Sequence, residues 1–336
     1  MPMLTRTQWA VSLAVLALLL VLPFLLPTFW TSNILGRSIV YGIVAMSLTF
    51  LASYGGFVSL AQTMIAGIAG YTVAVLAPTA IPLGNHWLPY WALIPLAIAA
   101  ATLAGAVVGL IAVRTREIYL LMITLALAVG FSLFAQSNID WFNGYEGIRN
   151  ILGPDIFGYP FRNVFVFYYS SLLVAAALYF LILYVVKTPF GLVLQGIRDN
   201  PRRVAAIGFN VGVHRVASFA LAGFIAGWGG VLITFYNIGI SPGSIGIWAT
   251  VNVLVMAVIG GLGHPIGAFI GALVYTLFDT FAATIYDRDR FNTLIGLVFL
   301  VIVLISPDGL LGLFRRLTGW RTGRSVATKS MEEKAN

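Results

Sequence analysis

The chain is a succession of apolar stretches, each about as long as a bilayer's hydrocarbon core is thick. A core of about 30 Å takes roughly 20 apolar residues of helix. Such stretches run over residues 9–29, 34–53, 58–77, 90–113, 118–137, 164–186, 216–236, 248–262, 264–285 and 291–306. Charged residues make up 9% of the 336, against about 25% in soluble domains, and mean hydropathy is +0.96. These values exclude a soluble enzyme, a nucleic-acid-binding domain and a disordered chain. The sequence reads as an all-α polytopic membrane protein of about ten transmembrane helices. The first stretch, Arg6 followed by Val11 to Leu26, is built like a signal peptide. It is followed by Pro27 and Phe29-Trp30 rather than a small-residue cleavage site, so it is expected to remain a helix.

The basic residues give the expected orientation. With ten spans, both termini lie on one side. Of the 19 Lys and Arg, only Arg37, Arg149, Arg162, Arg288 and Arg290 fall on the other side. The remaining 14 mark their side as cytoplasmic by the positive-inside rule. Residues 1–314 are therefore expected to form one transmembrane domain, and 315–336 a basic cytoplasmic tail. Trp9, Trp30, Trp141, Phe142 and Tyr286 sit where aromatic residues anchor membrane interfaces.

Small residues recur at helical spacing in Gly105-x-x-x-Gly109, Gly223-x-x-x-Gly227, Gly263-x-x-x-Gly267-x-x-x-Gly271 and, more weakly, Ala66-x-x-x-Gly70. In lipid, helices associate by close approach at such faces, so a compact bundle is expected. Two segments interrupt the apolar pattern: Ser53 to Gln62, with Gly55, Gly56 and Ser59, and Gly260 to Pro265, with Gly261 and Gly263. Two readings of them stand open. They are tight turns, or they are broken backbone lining a pathway, as paired interruptions in transporters are. On the second reading Gly55, Gly56, Ser59, Gln62, Gly260, Gly261 and Gly263 are pathway or gating candidates. Asp279 joins them as the one carboxylate clearly within a span. Gln62, Asn252 and Thr124 are expected to make interhelical hydrogen bonds.

The one long cytoplasmic segment is 187–215. Pro189 ends the preceding span, and Asp199 or Asn200 is placed to cap a short helix with Pro201 at its first position. That helix is expected to run from Pro201 to Ile207 and stop at Gly208, in a left-handed conformation. Apolar Val204, Ala205 and Ile207 beside Arg202 and Arg203 suit either a membrane-surface helix or a knob for a groove on a cytoplasmic partner.

This segment, with Phe190-Gly191, Ile197-Arg198-Asp199-Asn200, Arg202-Arg203, Ala205-Ala206 and Gly208, resembles the coupling loop of ABC-importer permeases. It is most similar to the branched-chain amino acid permease family of LivM type. The resemblance extends over about 250 residues in consistent order. It takes in Ser53 to Tyr71, Arg114 to Leu125, Ala217 to Gly230, Ile240-Ser241-Pro242, Val258 to Gly263 and Ser306-Pro307-Asp308-Gly309-Leu310. Three positions depart from it. Pro201 stands where the family often has Glu, Asn143-Gly144-Tyr145-Glu146-Gly147 where relatives read Thr-Gly-Gly-x-x-Gly, and His264 where a small residue is common.

The resemblance implies a permease subunit of an ATP-driven importer in the bacterial cytoplasmic (inner) membrane. The implied cargo is branched-chain amino acids, with urea, short amides or aromatic acids as the alternative. It also implies a second permease subunit, two cytoplasmic ATPase subunits and an extracytoplasmic binding protein met by loops 138–163 and 237–247. Asp140, Glu146 and Asp155 are the candidates there for salt contacts. Arg198, Asp199, Asn200, Pro201, Arg202, Arg203, Ala205, Ala206 and Gly208 would couple to the ATPases.

No nucleotide site of its own is expected. The three lysines, Lys187, Lys329 and Lys334, stand in no Gly-x-x-x-x-Gly-Lys-Ser/Thr loop, so ATP and Mg would be bound by the partner ATPases. No cofactor is expected in this chain. His86, His214 and His264 lie in separate segments without metal-ligand spacing, so no metal site and no catalytic residue is expected. The leading alternative of another class, an ion-coupled secondary transporter, would place charged or coordinating groups near the bilayer midplane, where this sequence has almost none. Its surroundings are lipid, and nothing points to nucleic acid.

Overall fold

The computed structural model describes residues 19–80, 88–115, 117–155, 158–285, 296, 300 and 309–312. The first half of the expected span 9–29 and nearly all of 291–306 lie outside these residues, as do His86, Tyr286 and the tail at 315–336. Of the first span, residues 19–25 are helical.

Eight further stretches appear as apolar helices. They are α1 (Trp30–Gly55), α2 (Gln62–Leu76), α3 (Tyr90–Val113), α4 (Glu117–Ser137), α5 (Val164–Val185), α8 (Val211–Tyr236), α9 (Ile247–Gly260) and α10 (Pro265–Ile285). Between α5 and α8 lie two short helices, α6 (Pro189–Asp199) and α7 (Pro201–Ala206). Helices form because lipid offers backbone groups no partners, so each segment must satisfy its own. Six helical segments among the described residues are long and apolar enough to cross a membrane. The chain is an all-α polytopic membrane protein.

Helix α1 is the centre of the bundle, and every residue from Gly42 to Leu51 is buried. Its two ends, Trp30–Gly36 and Leu51–Gly55, wind as π-helix. Around it pack α2, α8, α9 and α10, with α3 outside α8. Helix α4 lies at the periphery, with Ile118, Tyr119, Met122, Leu133 and Phe134 exposed.

The glycine faces bring backbones together. A Cβ on Gly105 of α3 would stand 2.5 Å from the Phe219 carbonyl oxygen of α8 and 3.0 Å from Gly223 Cα. One on Gly230 would collide with the Ala66 carbonyl of α2, and one on Gly271 with the Met256 carbonyl of α9. The third face is shorter than its spacing suggests. Gly263 precedes α10 and has nothing within 4 Å, so Gly267 and Gly271 alone make the contact with α9.

One end of the bundle carries α6 and α7; the other carries a cap of loops. In the cap, β1 (Ile148–Arg149) pairs antiparallel with β2 (Gly239–Ile240), in the register Ile148↔Ile240. The Asn150 side chain donates to the Thr79 carbonyl (3.0 Å), and Tyr90 donates to the Leu152 carbonyl. Phe142, on the helical turn Ile139–Phe142, meets the Tyr71 ring edge-on at 4.8 Å. The Asn143 to Gly147 departure is thus a tight turn, with Asn143, Gly144 and Gly147 all at positive φ. A Cβ at Gly147 would collide with the Ile240 carbonyl, so the β2 strand fixes glycine there.

Gly105→Val is expected to lower the thermal unfolding midpoint of the detergent-solubilised protein. Overpacking costs about 1–3 kcal/mol or more, and the obstructing atoms are backbone. Gly130 has nothing within 4 Å, so Gly130→Ala should leave the midpoint unchanged or raise it, as the better helix former does.

Candidate functional site

Within the interruption at Ser53 to Gln62 the helical backbone is broken over residues 56–61. Helix α2, at 15 residues, rises only about 22 Å, well short of a hydrocarbon core of about 30 Å. It starts at Gln62, later than the sequence pattern suggests. Residues 56–59, without regular structure, and a turn at 60–61 supply the missing length. Gly56 ends α1 in the left-handed conformation (φ 73°). Phe57 then meets Phe219 of α8 (ring centroids 6.1 Å), a residue about 12 Å from the start of that helix. The Leu60 N–H donates to Thr124 Oγ1 of α4 (3.1 Å), and the Ala61 N–H to Ser59 Oγ (3.3 Å). Gln62 is buried and accepts from Ser47 Oγ of α1 (3.0 Å), while its Nε2 has no hydrogen-bond partner among the described residues. Thr63 then pairs with Thr250 of α9 (2.6 Å).

Beside this break lies a small, partly open space of 30 Å³ between α1, α2, α8, α9 and the 240–245 loop. Tyr41, Thr63, Gly67, Ile233, Ser244 and Val253 are among its walls. It is mostly apolar, with a few hydroxyls.

The second interruption, Gly260 to Pro265, is a short turn between α9 and α10. Gly261 has φ 105°. His264 caps α10, its Nδ1 accepting from the Ile266 N–H (3.3 Å), so a local structural role accounts for the third departure. The two interruptions meet, because Ser53 Oγ donates to the Leu262 carbonyl. Gly309, at φ 70°, lies against this turn, where a Cβ would stand 2.5 Å from Gly261 Cα and N. The Ser53, Gly260–Gly263 and Gly309 segments, far apart in sequence, therefore form one cluster at the α6–α7 end.

Segment 187–215 folds as α6, α7 and the first turn of α8. Asn200 caps α7, its Oδ1 accepting from the Arg203 N–H (3.1 Å) with Pro201 at the first position, and Gly208 follows at φ 99°. Helix α6 has no counterpart among the helices expected from sequence, and α8 starts at Val211 rather than 216. Helix α6 turns back from α5 because Gly191 lets it pass against Val185 and Val186, where a Cβ would collide. It buries Leu194 and Ile197. Arg198 leaves this helix inward, with Nη1 2.5 Å from the Ser53 carbonyl oxygen and its stem against Gly56. Asp199 lies 3.0 Å from the same guanidinium. Arg202 and Arg203, Ala205, Ala206 and Gly208 are exposed.

Asp279, a sequence candidate, is not isolated. Its Oδ2 lies 2.5 Å from Arg37 Nη1 on α1, and Arg37 also lies over the Tyr41 ring at 5.7 Å. Sequence spacing gives no hint of this pair, because its members are on the second and ninth expected spans. In the cap, Glu146 pairs with Arg149 (2.6 Å) within its own loop.

Residues 30–305 match the family model described as branched-chain amino acid transport system / permease component. The chain belongs to this permease family. It is 23% identical over 329 residues to the high-affinity branched-chain amino acid permease protein LivM of Escherichia coli K12, covering 90% of this chain and 74% of that one. It is 28% identical over 240 residues to a probable LivM of Methanocaldococcus jannaschii (64% and 67%). The ribose import permease RbsC of Haemophilus influenzae is 22% identical over 315 residues (89% and 92%). No solved structure matches. The permease is a multi-pass protein of the cytoplasmic (inner) membrane and an ABC-transporter membrane subunit.

In this permease, Arg37 and Asp279 tie α1 to α10. Removing either charge strands the other in low dielectric. Asp279→Asn or Arg37→Gln alone is expected to cost about 2 kcal/mol in detergent unfolding. That is less than the 3–5 kcal/mol typical of a fully buried pair, because each side chain keeps a quarter to a third of its surface. The double substitution should be closer to the unsubstituted protein than the sum of the two singles.

Proposed function

We propose that this chain is the transmembrane permease subunit of an ATP-driven ABC importer for branched-chain amino acids. The observation that carries the reading is segment 187–215. It folds as a helix held to the bundle, α6, followed by a capped helix, α7, that displays Arg202 and Arg203 at the bundle's end. Family membership supports the same reading.

On this proposal the α6–α7 end is cytoplasmic, the chain has ten spans, and both termini are inside. The excess of Lys and Arg on that side supports the orientation. Two ATPase subunits bind ATP and Mg and receive α7, and Arg198 to Gly208 couple their closure to the bundle. A second permease subunit completes the membrane part. The β1–β2 cap faces outward and receives a binding protein carrying the substrate. ATP binding moves the bundle between outward- and inward-facing states by favouring one of them, and the two interruptions line or gate the path.

Branched-chain amino acids are favoured as cargo by the LivM, LivH and BraD relatives and by the mostly apolar walls of the central space. The ribose permease relative supports sugar as the second reading. An ion-coupled mechanism has little to work with, since no charged side chain occupies the middle third of any of the eight apolar helices α1–α5 and α8–α10.

Tagged permease, extracted in mild detergent from its native host, is expected to bring down two ATPase subunits and a second permease. Arg202→Glu with Arg203→Glu should lose the ATPases and keep the second permease. Vesicles holding the recovered complex and its binding protein should take up leucine when ATP is supplied to the ATPase side. A chain that purifies alone, with uptake following an ion gradient, would overturn the importer. ATP-driven uptake of ribose in place of leucine would overturn the cargo only.

A further inference from the structure

Segment 187–215 presents its basic residues in two opposite directions, and the difference is physical. Arg202 and Arg203 stand on α7 in the open. Arg198, one turn before α7 and on the last turn of α6, turns back into the protein, where its side chain keeps 27% of its surface. Its Nη1 donates to the Ser53 carbonyl oxygen, one of the orphan acceptors at the end of α1. A cation is favoured there by the helix dipole as well. The contact needs close approach. A Cβ on Gly56 would stand 2.6 Å from Arg198 Cγ, and Gly56 is also left-handed. No other residue type meets both demands.

The next links are equally local. Ser53 Oγ donates to the Leu262 carbonyl in the α9–α10 turn. On the far side of that turn, Gly309 abuts Gly261. Leu194 of α6 lies beneath the same break, its Cδ1 3.7 Å from where a Gly55 Cβ would be. The Arg198 guanidinium thus joins the segment that carries α7 to the terminus of the central helix, Arg215 of the same segment lies over the Phe57 ring just beyond it (4.8 Å), and the Ser53 hydroxyl carries the connection on to α9 and α10.

We infer that Arg198 is a positioning residue, an internal strut that transmits movement of α6 and α7 to both interrupted segments, rather than a residue that contacts the ATPase. The inference rests on the importer reading above, in which α7 is the part the ATPases hold. The basic cluster then splits into two roles, with Arg202 and Arg203 docking and Arg198 transmitting. Loss of docking and loss of transmission have different signatures. Without docking the ATPases leave. Without the strut they stay and hydrolyse ATP, while the central space no longer responds.

The chain has no cysteine, so one introduced thiol reports on it cleanly. Ser244→Cys is nearly isosteric and lies on the wall of the central space. The complex co-purified with its partners is labelled with a water-soluble maleimide, nucleotide-free and after trapping with ATP and vanadate, and labelling is followed on this chain. The unsubstituted strut should give different labelling rates in the two states. Arg198→Gln should abolish the difference while ATPase recovery and ATP hydrolysis persist. Arg198→Lys, which keeps a cationic donor, should restore part of it. A full nucleotide-dependent difference in Arg198→Gln would overturn the strut. Loss of the ATPases from Arg198→Gln, as in the Arg202→Glu, Arg203→Glu protein, would overturn it too, by making Arg198 a docking residue. If the complex with Arg198 intact recovers no ATPases or shows no response to nucleotide, the importer reading itself fails, and the strut with it.

Discussion

A backbone N–H inside a bilayer has no water to turn to, and this one constraint shapes the rest of the structure. Continuous helices meet it without help. The connection between α1 and α2 does not, because it leaves the helix while still inside the bundle. Part of its cost is met by side chains: Thr124 Oγ1 accepts from Leu60 N–H and Ser59 Oγ from Ala61 N–H.

The same constraint explains why the helices sit so close. Between apolar helices in lipid there is no hydrophobic drive to associate, so packing must supply the attraction. It does so where Gly105 faces Gly223 and where Gly271 faces Met256, backbone against backbone. Closely packed helices in general shift between discrete arrangements instead of deforming gradually. A transporter needs that property, and a bundle held by flexible side chains would lack it.

Much of this architecture is legible in the sequence. The helices are written as apolar length, the α7 cap as Asn200-Pro201 with Gly208 at its end, and the packing faces as glycine spacing. The illegible parts are those set by partners distant in the chain. Nothing in the local pattern pairs Arg37 with Asp279, or turns Arg198 inward while Arg202 faces out. Helix α6 escapes notice because its apolar face is only a few residues long and begins at Pro189, which reads first as the end of α5. Gly263 shows the opposite error, since it keeps the four-residue spacing of Gly267 and Gly271 but stands before the helix starts. Spacing is informative only once a helix is known to run through it.

Charge placement joins the two ends of the mechanism. Among the described residues, the bundle holds one ion pair between spans, Arg37 with Asp279, and it lies toward the β1–β2 end. At the opposite end a single guanidinium bridges α6 and α1. Between them the core contains hydroxyls, amides such as Gln62, and no charge in the middle of any of the eight apolar helices. A core of this kind offers a driving ion no charged partner in these eight helices. On the proposed importer reading, energy enters at an end, as a displacement, and travels through packed contacts. The α6–α7 end is suited to that entry, because there the exposed helix, the terminus of the buried central helix and the α9–α10 turn are joined through two hydrogen bonds, Arg198 to Ser53 and Ser53 to Leu262.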